Sequence, residues 1–296
     1  EKVLVINDWS KGVTGDRDPI PGTHHRSMGF IPWHKGRLRK VGQVLPYTYT
    51  NDPGVSAIYV WKRFKNEMFL GAGSDVYRLD GVSMTLVDGP GTTTTMTQLV
   101  YSMEVWDGNL IVGQGGATKA GILTTLTGTI AAVTDTIYIV RMANVRGKLW
   151  RNYDTANTID GCDSGSNMQL AASWGGDIKV GNSTEAIQGM VAFGEHLAVA
   201  KSDGLFIGDS ALIFPNVLEG MANQVDPRNG FGLVSDGGAL YYAHSGGLLR
   251  YSMGMAEEIG LQQVLHSGNQ SEIGYLPTER VTAITPQGKY LWVATA

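Results

Sequence analysis

Residues 66–81, NEMFLGAGSDVYRLDG, hold two short runs of alternating apolar and polar residues on either side of a glycine-rich turn. The second run ends in Asp80-Gly81, a dipeptide typical of hairpin turns. A phosphate-binding loop would need GxxxxGK[ST], or GxGxxG at the start of a helix, and neither is present here. The stretch therefore predicts a β-hairpin whose glycines permit the turn.

Similar hairpins recur along the chain, each with a polar or glycine-rich turn before a short alternating strand. The leading apolar residue of these strands returns at intervals of roughly 40 to 50 residues, the size of a four-stranded propeller blade. These leading residues are Phe69, Leu110, Leu149, Leu197, Leu240 and Leu291. The repeat predicts an all-β fold, a β-propeller of about six blades, with five or seven as alternatives.

A further alternating run precedes several of these positions and predicts the innermost strand of each blade. Such runs lie at 58–60, 138–140, 190–192 and 281–284. No long window has the i, i+3, i+4, i+7 spacing of an amphipathic helix. A β-sandwich, or several smaller β domains with similar hairpins, is the alternative interpretation of the same runs.

The predicted domain organisation has two parts. Residues 1–57 form an N-terminal strand and an extended arm rich in proline and glycine, and residues 58–296 form the blades. The apolar segment at 2–7 is a candidate to close the ring by adding a strand to the last blade, which would remove exposed sheet edges.

The composition narrows the classes of partner. Glycine accounts for 40 of 296 residues, about twice its usual share, which suits short strands joined by tight turns. A net charge of −4 gives no basic field, so neither nucleic acid nor anionic lipid is predicted as a partner. No apolar run approaches the roughly 18 residues of a membrane span, so membrane insertion is not expected.

The arm contains the residues that we expect to contact a partner. Long irregular segments in compact proteins are usually functional or interfacial. Tryptophan and arginine are the residue types that most often anchor protein interfaces. The interface candidates are Trp9, Trp33, Arg37 and Arg39.

The remaining aromatic residues have a more ordinary interpretation. Most lie in predicted strands, where packing between blades accounts for them. The tryptophans in this group are Trp61, Trp106, Trp150, Trp174 and Trp292.

No catalytic or cofactor motif is found, so we predict a protein that is not an enzyme. Cys162 is the single cysteine, which excludes an internal disulfide and a CxxC site. Adjacent histidines on an extended chain point in opposite directions, so His24 and His25 do not form a ligand pair. A structural cation near Asp154, Asp160 and Asp163 is the one cofactor alternative, although the spacing of an EF-hand is absent.

A glycoside hydrolase would need two carboxylates near the central axis of the propeller. The sequence offers single carboxylates but no motif that pairs them. The candidates are Glu104, Asp107, Asp177 and Glu195.

Three segments resemble β-propeller structural proteins of tailed-bacteriophage virions. The first carries Trp9, Ser10, Gly12, Asp16, Asp18 and Pro19, followed by GRLRK at residues 36–40 and by Gly42. The second is the hairpin at 69–81, and the third is the stretch at 149–166. The chain departs from the pattern at Lys11, where a second glycine is common, and it lacks an asparagine in the strand before Gly36. The resemblance implies a virion component associated with the tail or baseplate, and it identifies no catalytic residue.

The predicted function is that of a non-enzymatic virion protein, assembled in the host cytoplasm, which docks in several copies to tail, baseplate or connector proteins. Host attachment through a glycan is a further candidate role. The alternative is a secreted or cell-surface propeller that binds or hydrolyses glycans. A cellular scaffold of the WD40 type ranks third, because no repeated Gly-His and Trp-Asp signature is present.

Overall fold

A computed structural model describes fourteen segments of the chain: residues 12–13, 23–24, 30–34, 37–40, 60–80, 83–88, 95–153, 157–182, 184–209, 212–218, 232–244, 247–260, 281–287 and 290–295. They contain β-strands and one short 3-10 turn, Ala171–Ser173, which confirms the all-β prediction for these residues. Within them, no helix is long and apolar enough to cross a membrane. The chain divides into two compact units, Glu1–Thr48 and Tyr49–Ala296. The boundary predicted at residue 57 lies outside the described residues and stays a prediction.

The described residues of the first unit form two small strand pairs. Strands β1 (Gly12–Val13) and β2 (Thr23–His24) pair in parallel. Strands β3 (Phe30–His34) and β4 (Arg37–Lys40) form an antiparallel hairpin where the sequence predicted irregular structure. The proposed closing segment at 2–7 lies outside the described residues.

In the described part of the second unit there are six antiparallel sheets, which we number 1 to 6 in chain order. Sheet 1 holds β5 (Val60–Phe64), β6 (Glu67–Ala72), β7 (Asp75–Asp80) and β8 (Ser83–Asp88). Sheet 2 holds β9 (Val100–Trp106), β10 (Asn109–Gln114), β11 (Gly121–Leu123) and β12 (Ala131–Ala132). Sheet 3 holds β13 (Arg141–Val145), β14 (Lys148–Asn152), β15 (Thr158–Cys162) and β16 (Ile178–Lys179).

The remaining sheets follow the same order. Sheet 4 holds β17 (Ile187–Phe193), β18 (His196–Lys201) and β19 (Gly204–Ile207). Sheet 5 holds β20 (Leu233–Asp236), β21 (Ala239–His244), β22 (Gly247–Ser252) and β23 (Met255–Gly260). Sheet 6 holds β24 (Val281–Gln287) and β25 (Tyr290–Thr295).

The first strands of consecutive sheets are neighbours in space. Contacts run from β5 to β9, β13, β17, β20 and β24 in that order. Apolar clusters fill the spaces between adjacent sheets, so each sheet is covered by its neighbours in sequence. This serial packing of antiparallel sheets by their first strands is the arrangement of a β-propeller, and it confirms the predicted fold class. The number of blades stays a prediction.

Burial explains the repeat seen in the sequence. Each leading residue lies in the second strand of its sheet, which is flanked by the first strand and, in the sheets with three or four strands, by the third. Five leading residues are buried: Phe69, Leu110, Leu149, Leu197 and Leu240. The first strands are more exposed, since one of their edges faces the axis of the propeller rather than another strand of the sheet.

Two glycines of the first hairpin serve different purposes. Gly73 lies in the turn between β6 and β7 with a φ of 64°, which glycine adopts without strain. Gly71 lies in β6, where an added Cβ would stand 2.7 Å from Cγ1 of Val100 on sheet 2. The turn prediction is confirmed, while close packing between sheets accounts for the second glycine.

The predicted innermost strands are confirmed at 190–192 and 281–284, which lie in β17 and β24. The prediction at 138–140 is wrong by a short shift, because β13 begins at Arg141. Residues 138–140 instead lead into the sheet, and Tyr138 forms an isolated bridge with Lys119, which lies between β10 and β11.

Candidate functional site

The first strands of sheets 1 to 3 carry a group of aromatic and charged side chains, which we call the axial band. It consists of Trp61 and Lys62 on β5, Tyr101 and Glu104 on β9, and Arg141 on β13. Serial packing of these three strands brings Lys62 to Glu104 and Arg141 to Tyr101 from segments far apart in the sequence, while Trp61 lies on β5 beside Lys62 in the chain.

Trp61 is the most exposed aromatic side chain of the band. Its neighbours Val60 and Phe64 pack into the cluster between sheets 1 and 2. Because side chains alternate along a strand, Trp61 points to the other face of β5, where it stays 52% exposed. An exposed tryptophan on a strand is a candidate anchor for a partner.

Two contacts hold the charged members of the band. Lys62 Nζ lies 2.5 Å from Glu104 Oε1, so an ion pair joins β5 to β9. Arg141 stacks on the ring of Tyr101 at 4.8 Å and donates a hydrogen bond from Nη1 to the Tyr101 carbonyl at 2.9 Å, joining β9 to β13. Burial lowers the pKa of Arg141 to about 10, which leaves it charged at neutral pH.

A buried ion pair lies in sheet 3. Arg151 on β14 donates from Nε to Asp160 Oδ1 at 2.7 Å and from Nη2 to Oδ2 at 2.8 Å. The guanidinium also lies 4.0 Å from the centre of the Trp174 ring and donates to the Tyr138 carbonyl. Burial raises the pKa of Asp160, although the Arg151 hydrogen bonds act in the opposite direction. The pair therefore ties β14, β15 and the segment that enters the sheet.

The second strands of sheets 2 and 4 each end in a buried polar residue, and this residue binds the segment of chain that leads into the same sheet. Gln114 accepts backbone hydrogen bonds from Thr97 and Gln98 through Oε1. Lys201 donates to the carbonyls of Val180 and Asn182, and burial lowers the pKa of its ammonium group. Side chains thus satisfy the backbone groups of the connections, which have no strand partner at these positions.

The turns that follow the first strands of sheets 2 and 3 contact the neighbouring sheet. The Asp107 carboxylate of sheet 2 accepts hydrogen bonds from Ser164 Oγ at 2.8 Å and from the Gly165 backbone at 2.9 Å, both from sheet 3. Arg146 forms an ion pair with Glu195 of sheet 4. These contacts join neighbouring sheets and stiffen the scaffold that carries the axial band.

The residues predicted as interface anchors belong to the first unit. Trp9 lies outside the described residues. In the β3–β4 hairpin, Arg37 pairs with His34 and Arg39 with Ile31, while Trp33 lies at the register shift between Pro32 and His34. The prediction that these four residues bind a partner stays a prediction.

The proposed cation ligands are engaged by basic side chains where the structure describes them. Asp160 is held by Arg151, and Asp163 lies 3.1 Å from Lys148 Nζ. Asp154 lies outside the described residues. Among the described residues, no group of three or more histidine, cysteine, aspartate or glutamate side chains is placed to hold a metal ion.

The four carboxylates considered for a hydrolase have different partners. Glu104 pairs with Lys62, and Asp107 joins two turns. Asp177 accepts a hydrogen bond from the Tyr153 hydroxyl at 2.7 Å, and Glu195 pairs with Arg146. The contacts of the four carboxylates thus involve four separate sets of residues and suggest no acid–base pair.

The sequence reasoning missed the axial band, because it assigned Trp61 to packing between blades. The signal that could have found it is the run Trp61-Lys62-Arg63, which directly follows the predicted innermost strand at 58–60. A strand buried on both faces would not hold two adjacent basic residues without partners.

Comparisons with known proteins support the fold. No protein-family model and no curated protein matches the chain. A structure of catalytically inactive virginiamycin B lyase from Staphylococcus aureus with quinupristin is similar at 12% identity and a TM-score of 0.58, over 88% of this chain and 82% of that chain. YCF48 bound to D1 peptide is similar at 12% identity and a TM-score of 0.54, over 84% and 77% of the two chains.

The extracellular domain of a hybrid two-component system from B. thetaiotaomicron is also similar, at 12% identity and a TM-score of 0.56. The match covers 84% of this chain but only 32% of that chain, so this chain spans about a third of the larger domain. These similar structures are β-propellers with varied roles, and at such low identity the similarity shows the fold alone.

Proposed function

We propose that this chain is a non-enzymatic β-propeller that docks to neighbouring proteins, and that the assembly is the virion of a tailed bacteriophage. The observation that carries the docking role is the half-exposed Trp61 of the axial band, on a strand that the Lys62–Glu104 ion pair holds against β9. Tryptophan, tyrosine and arginine contribute most of the binding energy in protein interfaces.

The stiffness of the scaffold favours this role. The ion pairs and turn contacts between sheets fix the strands that carry the band before a partner arrives. A preformed surface loses little conformational entropy on binding, so more of the contact energy becomes affinity. Several copies on a symmetric particle would further strengthen attachment through multivalency.

Two observations favour a protein partner over glycan hydrolysis. The candidate carboxylates have separate partners and suggest no acid–base pair. A protein of similar fold, YCF48, has been solved with a bound peptide. The virion assignment rests on the resemblance of residues 9–19, 36–42, 69–81 and 149–166 to phage propeller proteins, and it extends the docking proposal to a particular assembly.

Site-specific photo-crosslinking in the native assembly tests the proposal. A benzophenone amino acid at position 61 would be expected to form a covalent link to another protein of the particle. A matched variant carries the same group at Leu170, an exposed apolar residue in the connection between β15 and β16 that lies outside the band. A link from position 61 to a tail, baseplate or connector protein, with none from position 170, would support both docking and the virion role.

The two parts of the proposal fail in different ways. Links from position 61 to proteins outside any particle would contradict the virion role and leave docking intact. Links only within the chain, together with specific binding on a glycan array, would contradict docking and favour the secreted glycan-binding alternative. For an identified partner, Trp61→Ala should weaken binding by about 2 kcal/mol, roughly 30-fold in Kd.

A further inference from the structure

Strand β5 presents different side chains on its two faces. Phe64 packs into the cluster between sheets 1 and 2, and Lys62 pairs with Glu104 of β9, so both face sheet 2. Side chains alternate along a strand, so Trp61 and Arg63 share the other face. Both of these side chains are exposed, Trp61 by 52%.

The register of sheet 1 shows what else lies on the face that carries Trp61 and Arg63. Trp61 is opposite Leu70 and Arg63 is opposite Met68, and β7 and β8 continue both rows with residues of the same apolar cluster. The members of the cluster in these two rows are Met68, Leu70, Tyr77, Leu79, Met84 and Leu86. Trp61 and Arg63 therefore lie on the first strand, at the margin of an apolar cluster.

Arg63 has no acidic partner among the described residues. Its guanidinium donates one hydrogen bond there, from Nη2 to the side-chain oxygen of Asn66 at 3.3 Å, which is long for this kind of bond. The other charged residue described on this face, Asp75, accepts a hydrogen bond from the Tyr77 hydroxyl at 3.1 Å, and the register separates it from Arg63 by the row of Trp61. Because a guanidinium has several N–H donors, Arg63 keeps donors that suit a carboxylate.

Two other basic side chains of sheet 1 have stronger contacts within the propeller. Lys65 donates from Nζ to the Thr124 carbonyl at 2.6 Å. Arg78 pairs with Glu67, with Nε and Oε2 3.2 Å apart. The packing of the described residues thus accounts for these two charges but not for the charge of Arg63.

We propose that Trp61 and Arg63 together bind an extended acidic segment of a partner, in which an apolar residue and an aspartate or glutamate are two positions apart. This inference rests on the docking role proposed for Trp61 and specifies the chemistry of the partner. Alternate side chains of an extended chain share a face and are about 6.5–7 Å apart. A spacing of two positions therefore brings the apolar side chain to Trp61 and the carboxylate to Arg63, where paired hydrogen bonds form.

The charge of Arg63 disfavours other occupants. A basic segment would bring a like charge to the guanidinium, and a purely apolar segment would remove it from water without a counter-ion. A second copy of the same face would supply Asp75, whose carboxylate already accepts the Tyr77 hydroxyl. Charge complementarity therefore selects an acidic segment of another protein.

The test uses the full chain and three fluorescein-labelled pentapeptides, whose binding is measured by fluorescence anisotropy. The first has phenylalanine and aspartate separated by one serine, between terminal serines. The second replaces the aspartate by asparagine, and the third places the aspartate directly next to the phenylalanine, on the opposite face of an extended chain. We expect the first peptide to bind about 5-fold or more tightly than either of the others.

Variants of the chain locate the site. Arg63→Met should remove the preference for aspartate over asparagine, whereas the matched control Arg250→Met, which removes an arginine that is 42% exposed on a strand of sheet 5, should keep it. Arg63→Glu should reverse the preference and favour a peptide with lysine in place of aspartate by about 5-fold. Trp61→Ala should weaken binding of the first peptide, and urea unfolding verifies that all variants are folded.

Four results would overturn the proposal. Equal binding of the aspartate and asparagine peptides would remove the role of charge, and a preference that a folded Arg63→Met variant keeps would place the acid-binding group elsewhere. Absence of binding at millimolar peptide would exclude the site. If the chain alone forms dimers that Arg63→Glu dissociates, the occupant is a second copy.

These failures differ from a failure of the docking role. If the photo-crosslinks from position 61 reach another protein while the peptide preference is absent, docking stands and the acidic partner is wrong. If the photo-crosslinks stay within the chain, the docking role itself is contradicted.

Discussion

Replacing Asp160 by alanine should test whether the buried ion pair of sheet 3 stabilises the propeller. The side chains of Arg151 and Asp160 are 10% and 5% exposed, so neither charge has much contact with water. The substitution leaves the guanidinium of Arg151 with the Trp174 ring and the Tyr138 carbonyl but without its counter-ion.

The structure sets the size of the effect. Two charge-assisted hydrogen bonds, of 2.7 and 2.8 Å, are lost, each contributing about 1.5–3 kcal/mol. Removing one partner of a buried pair typically costs about 3–5 kcal/mol, because the remaining charge is left uncompensated. We therefore expect Asp160→Ala to lower the free energy of unfolding by about 4 kcal/mol, and the Tm by roughly 8 °C.

A double-mutant cycle separates the ion pair from the packing around it. Urea unfolding followed by tryptophan fluorescence is measured for Asp160→Ala, Arg151→Met and the double variant. Removing both charges leaves no buried ion, so the double variant should lose only about 1–2 kcal/mol. The expected coupling energy between the two residues is thus at least about 3 kcal/mol in favour of the native state.

The pH dependence of the stability of Arg151→Met independently tests the direction in which Arg151 shifts the pKa of Asp160. Arg151 lowers the pKa of Asp160 while burial raises it, so loss of Arg151 raises that pKa further above its value in the unfolded chain. The folded variant then takes up a proton more readily than the unfolded chain, and its stability relative to the unchanged protein should recover as pH falls from 7 towards about 4. The reasoning would be refuted if Asp160→Ala lowered the free energy of unfolding by less than about 1 kcal/mol. It would also be refuted if the losses of the two single variants added up to the loss of the double variant.

Two further predictions concern single sites. Burial lowers the pKa of Lys201 below 10.5, so the unfolded chain holds this proton to a higher pH than the folded chain does. The free energy of unfolding of the unchanged protein, measured by urea titration relative to Lys201→Met, should therefore rise as pH increases towards 10.5. A difference that does not change with pH would contradict this. An added Cβ at Gly113 would lie 2.8 Å from the Ile139 carbonyl oxygen, so Gly113→Ala should lower the free energy of unfolding, measured by thermal unfolding, by about 1–3 kcal/mol. The control Gly176→Ala, whose Cβ would meet nothing within 4 Å, should leave the stability nearly unchanged. Equal effects of the two substitutions would count against tight packing between sheets.

The sequence was sufficient to predict the repeat and the fold class. A second strand covered on both faces requires an apolar leading residue, and two-residue turns require residues that accept positive φ, so both features recur at the same places in each sheet. Leu110 and Leu149 mark such strands, and Asp107-Gly108 marks such a turn. These features can be predicted from local sequence because each depends only on residues within one hairpin.

Only the tertiary structure could identify the axial band. Lys62 and Glu104 are far apart in the chain, and they meet because the first strands of consecutive sheets pack in series around an axis. Trp61 looks the same in sequence as a tryptophan buried between blades, since alternation reports which residues share a face but not what covers that face.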